Sequence, residues 1–199
     1  MFSGIIQNTG IVLSVTDYGT TKRLAVSSPF SSSLHIDQSI AHNGTCLTVI
    51  NVQDGFHEVD VVNETLSKTN LGLLQPGELV NLEKSITLQT LLDGHLIQGH
   101  VDTTLVCENI EDLDGSWLIR FQLPAFFESV VIPHGSICIN GVSLTVANLY
   151  DQAFDVAIIP YTFHHTNFMS LKQGDLVNVE FDLIGKYLLR QLELRRINE

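Results

Sequence analysis

Along most of this chain apolar and polar positions alternate with a period near two, interrupted roughly every eight to twelve residues by turn signals. That period predicts strands, because successive side chains on a strand face opposite ways. Six are expected in the first half, at 5–17, 22–28, 39–42, 45–53, 56–62 and 79–84. Six more follow at 100–111, 116–123, 136–139, 142–150, 154–159 and 176–182. Residues 64–74 and 125–131 read as short helices. From Ile184 the rhythm changes: Ile184, Tyr187, Leu188 and Leu192 fall at helical spacing, with Lys186, Arg190, Glu193 and Arg196 outside that stripe. A single amphipathic helix there either caps the second set of strands or packs against copies of itself.

The two sets of strands are one pattern written twice. The segment from Ser39 to Glu83 aligns without a gap on Ser136 to Glu180 at an offset of 97, with 19 of 45 positions identical. Asn43-Gly44 and Asn140-Gly141 are matched turn dipeptides, since both residue types tolerate the positive φ of a tight hairpin. Leu47-Thr48-Val49 and Leu144-Thr145-Val146 follow as strands. Thr65 matches Thr162, Thr69 matches Thr166, and Gly77 matches Gly174. Upstream the correspondence is looser: Gly4-Ile5-Ile6 and Gly99-His100-Val101 each open an alternating run. Six short antiparallel strands per half suggest a small closed barrel, which removes exposed edges. The expected organisation is one barrel over 1–90, a second over 91–183 and a C-terminal helix over 184–199, with no Pro/Ser-rich linker between the halves.

Composition narrows the function. Apolar residues make up 44% of the chain and charged residues 16%, a globular balance. The apolar runs are too short to span a bilayer, and MFSGIIQNTG lacks the features of a signal peptide, so a cytoplasmic protein is expected. Ten basic residues against 22 acidic ones give a net charge of −12, which argues against nucleic acid as a partner. Cys46, Cys107 and Cys138 are an odd count without a CxxC pair, and the eight histidines show no ligand spacing. Neither a disulfide framework nor a metal site is expected.

A duplicated unit tends to duplicate its pocket, so positions matched between the halves are candidate ligand positions and the mismatches show how two pockets diverged. Cys46 faces Ser143 across the repeat, and Asn63-Glu64 faces Pro160-Tyr161. Two similar but unequal pockets suit a reaction between two molecules of one compound, because the partners play different roles. Taken singly, each has a plain structural reading: a buried free cysteine is most often a small hydrophobe, and a serine at a strand start can satisfy a backbone group.

The segments MFSGII, SIAHNGTCLTV, NETLSKTNLG, GHLIQGHVDTT, NGVSLTV and IPYTFHHT, in this order along nearly the whole chain, resemble riboflavin synthase. The resemblance implies an all-β fold of two tandem six-stranded Greek-key barrels with a C-terminal α-helix, assembled as a homotrimer through that helix. It implies a dismutation without cofactor. Two molecules of 6,7-dimethyl-8-ribityllumazine at one working site exchange a four-carbon unit to give riboflavin and 5-amino-6-(D-ribitylamino)uracil. That site lies between the first barrel of one subunit and the second barrel of a neighbour.

Carried onto this chain, the family's pteridine contacts fall on Gly4, Ile5 and Ile6, on Cys46, Leu47 and Thr48, and on Asp60, Val61, Val62, Asn63, Glu64 and Thr65 in the first barrel, with Gly99, His100 and Val101 in the same set. In the second barrel they fall on Ser143, Leu144 and Thr145 and on Ile159, Pro160, Tyr161, Thr162, Phe163 and His164. Ser39, Cys46, His100 and Ser143 match positions implicated in turnover, with His100 the first choice of base and Cys46 or Ser143 delivering or positioning a nucleophile. His134 stands where the family usually has a contacting lysine; an imidazole still donates a hydrogen bond. Asn140-Gly141, Asp93-Gly94-His95 and Gln98 are further departures.

Two rival readings use the same residues. A non-catalytic lumazine- or flavin-binding protein of this fold, known among relatives in luminescent bacteria, keeps one working pocket; here Cys46, Thr48, His100, Ser143 and Thr145 are all retained. A barrel module whose repeat serves only packing explains the turns but not polar residues recurring after each of them.

Overall fold

The computed structural model describes residues 1–197, with side chains described through Arg195. The Arg196 side chain and residues 198 and 199, the end of the expected helical span, lie outside the described residues. The first six strands are β1 (Asn8–Tyr18), β2 (Thr21–Ser27), β3 (Ser39–His42), β4 (Thr45–Gln53), β5 (Phe56–Val61) and β6 (Leu79–Lys84). They close into an antiparallel barrel in the order β1-β2-β5-β4-β3-β6. The second six are β7 (Thr103–Asp112), β8 (Trp117–Gln122), β9 (Ser136–Ile139), β10 (Val142–Tyr150), β11 (Ala153–Ile158) and β12 (Leu176–Phe181), and they close in the same order. The bond between β2 and β5 skips the β3–β4 hairpin, which is the Greek-key step.

Local chemistry explains the hairpins and the curvature. Asn43-Gly44 and Asn140-Gly141 both take positive φ at each residue, the geometry whose twist matches the flanking strands. Each barrel bends at bulges in equivalent places, Val12/Ser14 and Val49/Asn51 in one and Cys107/Asn109 and Val146/Asn148 in the other. Inward alternation then fills two separate cores. Leu24, Val49, Val59 and Leu82 lie in the first, and Ile119, Phe121, Phe154 and Val179 in the second. A third, small cluster of Phe2, Ala41, Ile97 and Cys138 joins the barrels.

The expected helix over 64–74 is α1 (Asn63–Lys68) followed by a 3-10 turn at Asn70–Leu73, broken between them by extended Thr69. The second half repeats this as α2 (Pro160–His165) and a 3-10 turn at Asn167–Ser170, elements the alternation did not predict. Residues 125–131 form a 3-10 helix, Ala125–Val130, rather than an α-helix. α3 (Leu183–Ile197) leaves the second barrel with Ile184, Tyr187, Leu188 and Leu192 exposed, so within one chain its apolar stripe does not cap the barrel. Its first turn is tied down by the Lys186 ammonium, 2.9 and 3.1 Å from the Asp102 carboxylate. Among the described residues no helix is long and apolar enough to cross a membrane.

The barrels face each other across a pseudo-twofold axis. Gly44 and Gly141 meet there backbone to backbone: a Cβ on either would lie 2.7 Å from the amide nitrogen of the other. Around them runs a buried amide network. Asn81 Nδ2 donates to Asn140 O (2.9 Å) and Asn167 Oδ1 (2.8 Å), while Asn178 Nδ2 donates to Asn43 O (2.9 Å) and Asn70 N–H to Asn178 Oδ1 (2.6 Å). Buried amides of this kind are stable only when satisfied, and these satisfy one another.

Candidate active site

Each barrel is entered by a short segment that crosses to the other barrel. Phe2 and Ile97 pair antiparallel where the two segments pass, through N–H to carbonyl bonds of 2.8 and 3.1 Å. Beyond that point Gly4 O accepts from Ser143 N on β10 (2.9 Å), and Gly99 O accepts from Cys46 N on β4 (2.9 Å). Both glycines need positive φ, 78° and 83°, and both lie too close to the opposite strand for a side chain. A Cβ on Gly4 would meet Ser143 Cβ at 2.6 Å, and one on Gly99 would meet Cys46 Cβ at 2.5 Å.

This crossing corrects one expectation. Gly4, Ile5 and Ile6 precede the first barrel in sequence but belong with the second: Gly4 abuts Ser143, and Ile6 packs on the second core. Gly99, His100 and Val101 lead into the second barrel, and Gly99 lies against the first. The exchange could not be read from alternation, which reports faces and not partners.

Buried carboxylates fix the crossing segments. Glu180 on β12 accepts from the N–H groups of Gln98 (2.7 Å), Gly99 (2.9 Å) and His100 (2.9 Å). Glu83 on β6 accepts from Ser3 N and Ser3 Oγ (2.7 Å each) and Gly4 N (3.0 Å). Burial pushes both carboxyls above their ordinary range, against the opposing pull of those donors. Sequence reading did not single out either glutamate, although their matched place in the repeat was a usable signal.

The strands then sort the remaining candidates. Cys46 and Thr48 share a face of β4, Ser39 lies directly across from Thr48 on β3, and the Gly99–His100 turn rests on the same strand. Ser39, Cys46 and Thr48 are thus brought together on one side of the first barrel, with the backbone of the Gly99–His100 turn beside them. Ser143 and Thr145 share the equivalent face of β10. Leu47 and Val61 pack into the first core, and half-buried Leu144 packs against the second. His95, absent from the expected set, places Nδ1 2.7 Å from Ser143 Oγ. Burial lowers its pKa, the negative charge of Asp182 opposing, so the ring favours its neutral form.

At the barrel ends Val62, Ile159 and Tyr161 are exposed apolar groups beside Asn63 and Pro160, while Thr65 and Thr162 are half-buried on the following turns. Several candidates are already engaged. Asp60 is gripped by Arg23 at 2.8 and 3.0 Å, Glu64 pairs with Lys68 on the surface, and Phe163 stacks on Trp117 with centroids 3.7 Å apart. His164 meets Trp117 edge-on. His134 is exposed at positive φ (61°), its N–H donating to Val146 O as Asp37 donates to Val49 O in the first half.

Several of the matched polar positions serve the structure. Asn43/Asn140 and Asn81/Asn178 belong to the barrel interface. Thr69 and Thr166 cap 3-10 turns, each accepting from the N–H two residues on at 3.3 Å. A groove of about 530 Å³ opens over the asparagine network, and none of the expected site residues lines it. A smaller one, about 320 Å³, touches Ser3, Ile5, Glu83 and Asp93 beside the crossing segment.

Two closed barrels with exchanged lead-in segments and two related, unequal polar faces define a duplicated small-ligand-binding class. The lumazine binding domain family matches the chain twice, at residues 3–85 and 98–182. Riboflavin synthase of Mycobacterium bovis is 39% identical over 199 residues, 96% of this chain and 97% of that protein. That of Bacillus amyloliquefaciens is 36% identical over 96% of this chain and 90% of its own length, and that of Schizosaccharomyces pombe 35% over 97% and 94%. Among solved structures, LumP complexed with riboflavin superposes with a TM-score of 0.86 at 24% identity, covering 91% of this chain and 99% of LumP, which bears on the fold. LumP complexed with 6,7-dimethyl-8-(1'-D-ribityl) lumazine gives 0.83 at 25%, over 90% and 98%. The chain belongs to the riboflavin synthase family.

Proposed function

We propose that this enzyme is a riboflavin synthase in activity as well as in family, converting two molecules of 6,7-dimethyl-8-ribityllumazine into riboflavin and 5-amino-6-(D-ribitylamino)uracil without a cofactor. The observation that carries this reading is the pair of related but unequal polar faces, Ser39, Cys46 and Thr48 with the His100 turn on one, Ser143 and Thr145 with the Gly4 turn and His95 on the other. A dismutation needs two sites that hold one compound in two roles. The 7-methyl group of one lumazine is acidic because its carbanion delocalises into the ring, and His100 is the base we assign to it. To Cys46 and Ser143 we assign the positioning or delivery of a nucleophile to the other ring. Holding two rings face to face supplies much of the rate, on the order of 7–11 kcal/mol.

The exposed stripe of α3 supports assembly as a homotrimer through that helix, with the working site between the first barrel of one subunit and the second of its neighbour. Three free thiols, two of them buried, suit a reducing compartment, and we assign the protein to the cytoplasm.

The purified protein is incubated with 6,7-dimethyl-8-ribityllumazine alone and the products are separated by chromatography. Riboflavin and the ribitylaminouracil forming one to one support the reading. Tight binding without product makes the protein a lumazine carrier instead, and Cys46→Ala and His100→Ala variants with full turnover overturn the assigned roles.

A further inference from the structure

The two faces differ most at their central residue. Cys46 and Ser143 occupy matched positions, and the backbone treats them alike: each N–H donates 2.9 Å to a crossing glycine carbonyl. Their side chains are treated differently. Among the described residues no side chain hydrogen-bonds the Cys46 thiol, whereas Ser143 Oγ lies 2.7 Å from His95 Nδ1. The approach is built into the local backbone. Gly94 passes so close beneath Ser143 that a Cβ would fall 2.7 Å from Ser143 Cβ and 2.9 Å from Oγ, as well as against the Ser3 carbonyl. The His95 N–H is anchored on that same carbonyl at 3.2 Å. Ser3 in turn is held by Glu83.

In its Nε2–H tautomer a neutral imidazole accepts a hydrogen bond from the Ser143 hydroxyl at Nδ1, and that hydrogen then lies on the line to His95. The hydroxyl lone pairs are then left for other donors. A hydroxyl free to rotate offers donor and acceptor alike; one committed to an imidazole offers acceptor character and greater nucleophilicity. Burial and the Asp182 carboxylate act on His95 in opposite senses, and burial prevails.

We infer that His95 is a positioning residue for Ser143, orienting and polarising its hydroxyl, and that this makes the second-barrel face the one presenting an oxygen acceptor to bound pteridine while the first presents a thiol. The inference rests on the proposed function for the identity of the ligand, but the pairing itself does not.

The test separates the two. In an S143C variant the thiol should gain thiolate character from His95, and peptide-resolved alkylation at neutral pH should run about tenfold faster than in S143C/H95A. Equal rates overturn the pairing whether or not the protein turns over lumazine. In the otherwise unaltered enzyme, H95A should lower kcat about tenfold or more, change lumazine affinity less than threefold, and be partly rescued by H95Q, whose amide oxygen can accept the same proton. An unchanged kcat, or equal losses in kcat and affinity, overturns the positioning role. Should S143C not fold, a cycle of S143A, H95A and the double variant replaces it. Coupled residues give a double variant no slower than the worse single one, and multiplying effects overturn the inference.

Discussion

Glu83 and Glu180, 97 residues apart, perform the same task in opposite directions: each carboxylate, 3% and 2% exposed, gathers the N–H groups of the segment that crosses to the other barrel. The segment held by Glu83 supplies the backbone behind Ser143, and the one held by Glu180 supplies the backbone behind Cys46. The backbone behind Cys46 and Ser143 therefore depends on two buried carboxylates.

Replacing Glu180 with Gln tests this. An amide accepts through one oxygen and turns an N–H toward donors it cannot satisfy, so a buried N–H is left unpaired. The expected cost is about 2–4 kcal/mol in urea unfolding, with Glu83→Gln similar. Lumazine binding should weaken in both. Losses under about 0.5 kcal/mol would mean that the crossing segments hold themselves.

Gly44→Ala should separate the barrels. The added methyl meets the Gly141 amide at 2.7 Å, and both residues have positive φ. Gly55 provides the control, with φ 84° and nothing within 4 Å of its notional Cβ. Gly55→Ala should cost about 1 kcal/mol, the conformational strain alone. Gly44→Ala should exceed it by about 2 kcal/mol or more, because a contact between backbones cannot relax as a core side chain can. Equal losses in thermal melts would show that the axis yields easily.

How much of this was legible before the structure depends on whether a feature is local. The hairpin strands Ser39–His42, Thr45–Gln53, Ser136–Ile139 and Val142–Tyr150 match the alternation because an Asn-Gly turn sets both φ signs and register within a few residues. The alternation begins at residue 5, yet β1 starts at Asn8, since Ile5 and Ile6 alternate correctly while leaving for the other barrel. α2 was missed although its repeat partner was expected. Pro160 at its first turn is a start signal, but PYTFHH has little of the periodicity that identifies a helix. The site was legible as a set of segments, not as two faces. Identical residues at an offset of 97 report shared constraint, and the interface asparagines were constrained by the axis rather than by a ligand.

The first barrel contains a polar pair the second lacks. His42 and His57 meet through their Nε2 atoms at 2.9 Å, His57 Nδ1 lies 2.9 Å from Ser31 Oγ, and His42 Nδ1 has no partner among the described residues. The matched second-barrel residues are Ile139 and Phe154. Burial, with the neighbouring ring adding to it, holds His42 well below the ordinary imidazole range; burial lowers His57 to about 4. An unfolded chain takes up these protons near 6.5, so between about pH 6.5 and 4 the unfolded state binds more of them. Stability therefore falls with acidification through that window, by about 1.4 kcal/mol per pH unit for each imidazole. Above pH 6.5 the pair contributes no slope. A His42→Ile/His57→Phe variant, copying the second barrel, should lose this part of the acid limb in urea midpoints measured from pH 7 to 4.5. An unaltered limb would place acid sensitivity elsewhere, and the raised carboxyls Glu83 and Glu180 would not supply it, since they favour the folded state as pH falls.

The exposed stripe of α3 bears on the proposed assembly. Ile184, Tyr187, Leu188 and Leu192 face solvent in a single chain, while Lys186 anchors the base of the helix to Asp102. A helix held at one end with an unpaired apolar stripe gains most by meeting its own copies, burying about 1.5–3 kcal/mol per large side chain. Light scattering should therefore give a mass three times 22.0 kDa for the full chain. Deleting residues 186–199 should yield monomers, but it also removes the Lys186 ammonium from Asp102. A Tyr187→Glu/Leu188→Glu/Leu192→Glu variant is cleaner because it keeps that anchor and changes only the stripe. It should be monomeric, fold with near-parental stability and lose turnover far more than lumazine binding, since the proposed working site needs barrels from two chains. A trimer that survives these charges would sink the helix as the stem, and a fully active monomer would move the working site inside one chain.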